Sequence, residues 1–136
     1  MLAVEDIHTY HGSSHILHGV SLELRAGEVV TLMGRNGMGK TTTMRSIMAL
    51  TPPRRGRVLL DGVDMAGARP HTMARAGLGY VPEDRQVFRA LSVEENLLIA
   101  QPRAGMPPNN KLPDAWTLER VYGLFPRLAE RRRHWG

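Results

Sequence analysis

The sequence predicts an α/β fold: a strand, a glycine-rich loop and a helix in direct succession, with an antiparallel β flank ahead of them. Three observations carry this. The first 30 residues alternate apolar and polar side chains in two runs. The apolar run Val29 to Met33 then leads straight into a loop containing Gly34, Gly37 and Gly39. After that loop, Met44, Ile47, Met48 and Leu50 recur at helical spacing.

Each element follows from its local pattern. Leu2, Val4 and Ile7 have polar neighbours, which predicts a half-buried strand, and Tyr10 to His15 reads as a turn. From Ile16 to Leu24, Val20, Leu22 and Leu24 oppose Ser21 and Glu23, so this strand faces a core on one side. A turn around Gly27 precedes Val29–Met33, which reads as a short strand buried on both faces in the middle of a sheet. Residues 42–50 form a helix that the prolines of "TPPRRGR" stop. "RVLLDG" is a strand ending in an Asp-Gly turn. "RPHTMARAG" is a short helix closed by Gly77, and Leu78–Val81 is a further strand. Ser92 with Glu95 marks a capping box at the start of an apolar helix. Residues 101–113, rich in proline and asparagine, read as a surface loop. Residues 114–134 begin a helical region interrupted near Pro126.

Composition narrows the function classes. The 136 residues suffice for one domain with a modest core. There is no cysteine, so a disulfide scaffold, a thiolate metal site and a cysteine nucleophile are excluded. No apolar run approaches the ~20 residues that span a bilayer. The N-terminus "MLAVEDIH" lacks the basic lead and apolar centre of a signal peptide, which predicts a cytoplasmic product. The net charge of +5 is read as a solvated, arginine-rich surface. Aromatics are sparse and not interleaved with the arginines, so no nucleic acid partner is expected.

The chemistry lies in "GRNGMGKTT". Gly34, Gly39, Lys40 and Thr41 fit the pattern G-x-x-x-x-G-K-[ST], between an apolar run and a helix. Glycines let backbone amides curl around an anion without a Cβ in the way. The helix N-terminus aims unpaired amides at the same point. Lys40 supplies a mobile positive charge for the β- and γ-phosphates. The Thr41 hydroxyl is a candidate Mg²⁺ ligand and Thr42 a further phosphate donor. Asn36 is a candidate to hold the turn. These residues name a ligand class, nucleoside triphosphate, and leave ATPase, GTPase, small-molecule kinase and motor all open.

The wider pattern resembles the ATP-binding subunits of ABC transporters. "VSLELRAGEVVTLMGRNGMGKTTTMRSIMAL", "GRVLLDGVDM" and "GLGYVPEDRQVFRALSVEENL" occur in that family's order. "VPEDR…F…LSVEENL" and "LERVYGLFPRLAERR" look most like the branched-chain amino acid importer ATPases, with urea importer ATPases close by. The resemblance implies a P-loop nucleoside triphosphate hydrolase core with an antiparallel β flank. It implies ATP and Mg²⁺ as cofactors, with Gly34, Asn36, Gly37, Gly39, Lys40, Thr41 and Thr42 cradling phosphates and metal. Glu83 stands where the family has a glutamine that senses the γ-phosphate and approaches Mg²⁺. Lys40 and Glu83 are the implied catalytic pair. The adenine would stack on His11, with its neighbour Tyr10 as the alternative. Ala49 stands where relatives usually have glycine. The implied partners are a second ATP-binding subunit and membrane permease subunits, the latter through residues 85–100 with Phe88, Leu91 and Leu97 as contacts. That places the protein on the inner face of the cell membrane.

The same resemblance implies that the core is incomplete. The family's signature motif, Walker B strand and catalytic glutamate are not in the sequence, so the expectation is an N-terminal part whose C-terminal strands are missing. Alternatives to an importer ATPase are an ABC-type ATPase not coupled to transport, a nucleic-acid-binding module, and an inactive truncated product that binds nucleotide weakly.

Overall fold

A computed structural model describes residues 1–84, 86–101 and 116–136. It divides into two compact units, Met1–Tyr80 and Val81–Gly136. Most of the expected loop at 101–113 lies outside the described residues.

The first unit is built on strands β1 (Leu2–His11), β2 (Ser14–Leu24), β3 (Arg55–Leu60) and β4 (Val63–Asp64). They form one sheet in the order β2-β1-β3-β4, antiparallel throughout. The β1–β2 connection is tighter than the turn expected from Tyr10 to His15. Its register pairs His11 with Ser14 and Tyr10 with His15, leaving a two-residue turn with Gly12 at φ 60 in first position. The Asp-Gly turn between β3 and β4 forms as expected, with Asp61 and Gly62 both at positive φ.

Strand β1 changes phase midway. Leu2 and Val4 are buried before residue 6, Ile7 and Thr9 after it. A strict alternation cannot do this; an extra residue in the ladder can. That residue is Asp6, at φ 47, whose amide donates to Ser21 Oγ at 2.9 Å. The facing strand accommodates the bulge with Gly56, at φ 86. A Cβ there would stand 2.3 Å from the Asp6 carbonyl oxygen.

Helix α1 (Lys40–Ile47) packs on this sheet and α2 (Pro70–Arg75) follows β4. Leu2, Val4, Ile7, Leu17, Ile47, Met48, Val58 and Met73 make the core. Both helices end alike. In α2 the amides of Gly77 and Leu78 return to the carbonyls of Ala74 and Met73, with Gly77 at φ 99. In α1 the amides of Ala49 and Leu50 return to Ser46 and Arg45, with Ala49 at φ 56. These are two Schellman endings, one with glycine and one with alanine in the left-handed place.

Two expected strands do not form. Val29–Met33 and Leu78–Val81 have no strand geometry, and Val29, Met33 and Val81 are almost fully exposed. A strand buried on both faces exists only between neighbours that satisfy its amides and carbonyls. No described strand pairs with either segment.

In the second unit, α3 (Val93–Ile99) opens with the complete Ser92–Glu95 capping box. Its first amides, of Val93 and Glu94, donate to the carbonyls of His134 and Arg132. The helical region expected over 114–134, interrupted near Pro126, comprises α4 (Leu118–Leu124) and α5 (Pro126–Glu130), which meet at Phe125 before the proline. Beyond Glu130 the chain turns and pairs with residues 91–94.

Candidate functional site

The loop between β2 and α1 carries the predicted phosphate-binding residues. Gly39 is the N-cap of α1 at φ 86, a left-handed conformation that suits glycine, and no side chain caps the helix. A Cβ on Gly39 would stand 2.6 Å from Leu17 Cδ2, so a side chain there would add a displacement of the buried Leu17 to the backbone strain. The first-turn amides of α1 thus have no side-chain cap.

Lys40 folds back over this loop. Its Nζ donates to the Gly34 carbonyl at 2.7 Å and the Arg35 carbonyl at 2.9 Å. The Met38 amide donates to the Arg35 carbonyl at 3.3 Å, and Gly37 takes φ 84. Asn36 is exposed in this turn. Thr41 is exposed at the start of the helix, whereas Thr42 and Thr43 are buried. Thr43 Oγ1 donates to the Gly39 carbonyl at 3.0 Å, locking the loop's exit to the helix.

The tip of the β1–β2 hairpin reaches the same place. His11 Nε2 lies 3.4 Å from Thr42 Oγ1. Tyr10 behaves differently from its neighbour. Its ring lies parallel to that of His15, with centroids 4.2 Å apart and 3° between planes, and Arg54 Cζ sits 4.5 Å from its centroid. Glu83 is exposed and belongs to the second unit.

Sequence reasoning missed a histidine cluster beside this hairpin. His8 Nδ1 and His15 Nε2 are 3.1 Å apart, and the His15 and His18 centroids 3.8 Å. Asp6 Oδ1 is 3.3 Å from the other nitrogen of His8. Burial, then the charges of His18 and His8, hold His15 below the usual histidine range, with Arg55 adding to this and a backbone hydrogen bond at Leu17 opposing it. The available signal was Gly12 followed by serine, which sets a two-residue turn and so places His15 opposite Tyr10. Among the described residues, no group of three metal-ligating side chains is arranged to hold a metal ion. Among them, too, no helix is long and apolar enough to cross a membrane.

Comparison with known proteins agrees with this geometry. A profile of the ABC transporter family matches residues 17–134. The chain is similar to the high-affinity branched-chain amino acid transport ATP-binding protein BraG of Pseudomonas aeruginosa, 37% identical over 131 residues. That alignment covers 96% of this chain and 54% of BraG. It is also similar to the lipopolysaccharide export system ATP-binding protein LptB of Haemophilus influenzae, 33% identical, covering 82% of this chain and 46% of LptB. The chain thus spans about half the length of these curated relatives. Among solved structures, an ATP-binding subunit of an ABC transporter matches with a TM-score of 0.78 and 30% identity, covering 99% of this chain and 54% of that one. A dimeric bacterial ABC transporter cassette matches with a TM-score of 0.69 and 25% identity, over 99% of this chain and 61% of that one. The fold is therefore that of an incomplete P-loop cassette core with its antiparallel sheet, and the chain belongs to the ABC transporter family.

Proposed function

We propose that this chain binds ATP with Mg²⁺ between the Gly34–Thr42 loop and the hairpin tip, and serves an ATPase subunit that drives solute transport. One observation carries this reading: His11 stands 3.4 Å from Thr42, so an aromatic ring borders the loop that holds Lys40. A triphosphate entering the loop would draw Lys40 Nζ from the carbonyls of Gly34 and Arg35 to phosphate oxygens. The first amides of α1 would complete the cradle. The exposed Thr41 hydroxyl is placed to ligand magnesium, whose charge would offset that of the phosphates. Thr42, with its hydroxyl already facing His11, links ring and loop. Tyr10 is engaged by His15 and Arg54, which favours His11 as the surface for adenine. Glu83 keeps its proposed role as γ-phosphate sensor on the strength of its sequence position.

The transport reading follows the relatives. We infer import of branched-chain amino acids, supported by the likeness to BraG across 96% of this chain. Export of lipopolysaccharide is the second reading, supported by the likeness to LptB. The partners would be a second ATP-binding subunit and a membrane permease, at the inner face of the membrane. Val87 and Phe88, more than half exposed, suit the contact region proposed over residues 85–100. Residues 1–136 would act as the N-terminal part of an ATP-binding domain, with residues 1–30 in its antiparallel flank.

The test of the site is titration of this chain with ATP and Mg²⁺ beside Lys40→Ala. Loss of the charge-assisted phosphate bonds is expected to weaken binding about tenfold or more. Equal affinity in the two proteins would end the reading. For the cargo, leucine uptake and lipopolysaccharide export would be scored in cells carrying Lys40→Ala in the native gene. Loss of export with uptake intact would favour the second reading.

A further inference from the structure

We propose that Arg54 is a positioning residue for the nucleobase, holding the β1–β2 turn so that His11 keeps its place beside Thr42. This rests on the reading of His11 as the adenine-stacking ring. Arg54 arrives from the segment after α1, 42 residues away in sequence from Gly12. It grips the hairpin at three points. Its backbone amide donates to the His8 carbonyl at 2.8 Å. Its Nη2 donates to the Gly12 carbonyl at 2.8 Å. Its guanidinium lies over the Tyr10 ring at 4.5 Å. Tyr10 precedes His11 and Gly12 follows it, so the two side-chain contacts bracket the stacking residue.

A two-residue turn at the end of a hairpin is where a sheet frays first. The bracket opposes that fraying at His11, and the parallel contact of His15 steadies the Tyr10 ring as well. The guanidinium suits this double task because it is planar and carries several donors. It can lie flat on the ring and still donate sideways to a carbonyl. A lysine ammonium has no plane to stack, so it satisfies one contact and abandons the other. Arg54 is itself exposed, which confines its influence to the turn rather than the core. No phosphate-loop residue contacts Arg54 in these interactions, so its effect should reach the base and spare the phosphates.

That separation supplies the test. Binding of ATP and of tripolyphosphate, each with Mg²⁺, would be titrated into the full chain and into Arg54→Ala, Arg54→Lys, His11→Ala and Lys40→Ala. Arg54→Ala is expected to weaken ATP binding about three- to tenfold, the range of a lost cation–π contact and carbonyl bond. Tripolyphosphate should bind as before, and Arg54→Lys should not restore ATP binding. Equal weakening of both ligands, or no weakening of ATP, overturns the proposal. Amide hydrogen exchange at residues 11–14, without nucleotide, gives a second measurement. Faster exchange there in Arg54→Ala, with α1 unchanged, is the expected result, and an unchanged turn overturns the proposal whatever the nucleotide does. Unchanged ATP affinity in His11→Ala would instead defeat the stacking reading and take this proposal with it. Retained binding of both ligands in Lys40→Ala would defeat the phosphate site.

Discussion

Thr9 Oγ1 and Ser46 Oγ share a buried hydrogen bond of 2.8 Å that joins strand β1 to helix α1. It links the sheet, whose hairpin carries His11, to the helix that carries Lys40. Both residues are almost fully buried. Thr9→Val should strand the Ser46 hydroxyl and lower stability by about 1–3 kcal/mol in a urea melt. Thr9→Val combined with Ser46→Ala should recover part of that loss, because no lone hydroxyl is then left. A double variant as unstable as the two single losses added together would refute the pairing.

The contrast between the two helix endings gives a stabilising change. Gly77 occupies the left-handed position after α2 and Ala49 the matching one after α1. An alanine there carries a penalty of about 1–2 kcal/mol from its Cβ, partly offset by the lower entropy of its unfolded chain. Ala49→Gly is expected to raise stability by about 0.5–1 kcal/mol, read as a higher denaturant midpoint. A lower midpoint would count against this conformation of residue 49.

Gly56 should tolerate nothing larger. Its φ is 86 and a Cβ would stand 2.3 Å from the Asp6 carbonyl oxygen. The conflict is with backbone, so no rotamer change relieves it. Gly56→Ala should cost about 3 kcal/mol, combining left-handed strain with displacement of the bulge. Near-normal stability would mean that the bulge relaxes without cost.

His15 predicts a pH dependence. Its folded pKa is held below the usual value of 6.5, by burial first and then by the charges of His18 and His8. The unfolded chain therefore binds a proton more readily than the folded one. The stability associated with neutral His15 is fully present above about 6.5 and is lost as pH falls through the lowered folded value. Tyr10, Arg54 and Arg55 stand beside this cluster, and Asp6 pairs with His8 as a partial counterweight. Denaturant midpoints measured across this range should fall on acidification, and His15→Phe should flatten the fall while keeping a ring against Tyr10. An unchanged slope in that variant would assign the effect to other groups.

What the sequence revealed was local. The capping box of Ser92 and Glu95 spans three residues and forms as read, with hydrogen bonds in both directions. The spacing of Gly34, Gly39 and Lys40 identified a loop entering a helix, and Lys40 begins that helix. Val29–Met33 failed as a strand because its apolar run specifies burial without supplying a neighbour to pair with. The phase of β1 was hidden because its bulge depends on Asp6 meeting Ser21 and Gly56, both distant in sequence. Arg54 was legible only as part of a helix-stopping segment, since its partners at Gly12 and Tyr10 lie across the sheet.

Lys40 also bears on how the loop meets a guest. With its ammonium bridged to the carbonyls of Gly34 and Arg35, the lysine acts as an internal template that preserves the curvature of the bowl. Arrival of an anion would then be an exchange of partners by one cation, rather than the ordering of a slack chain. On the proposed reading, affinity would then depend on the difference between carbonyl and phosphate oxygens as acceptors for the two ammonium protons that Gly34 and Arg35 now hold.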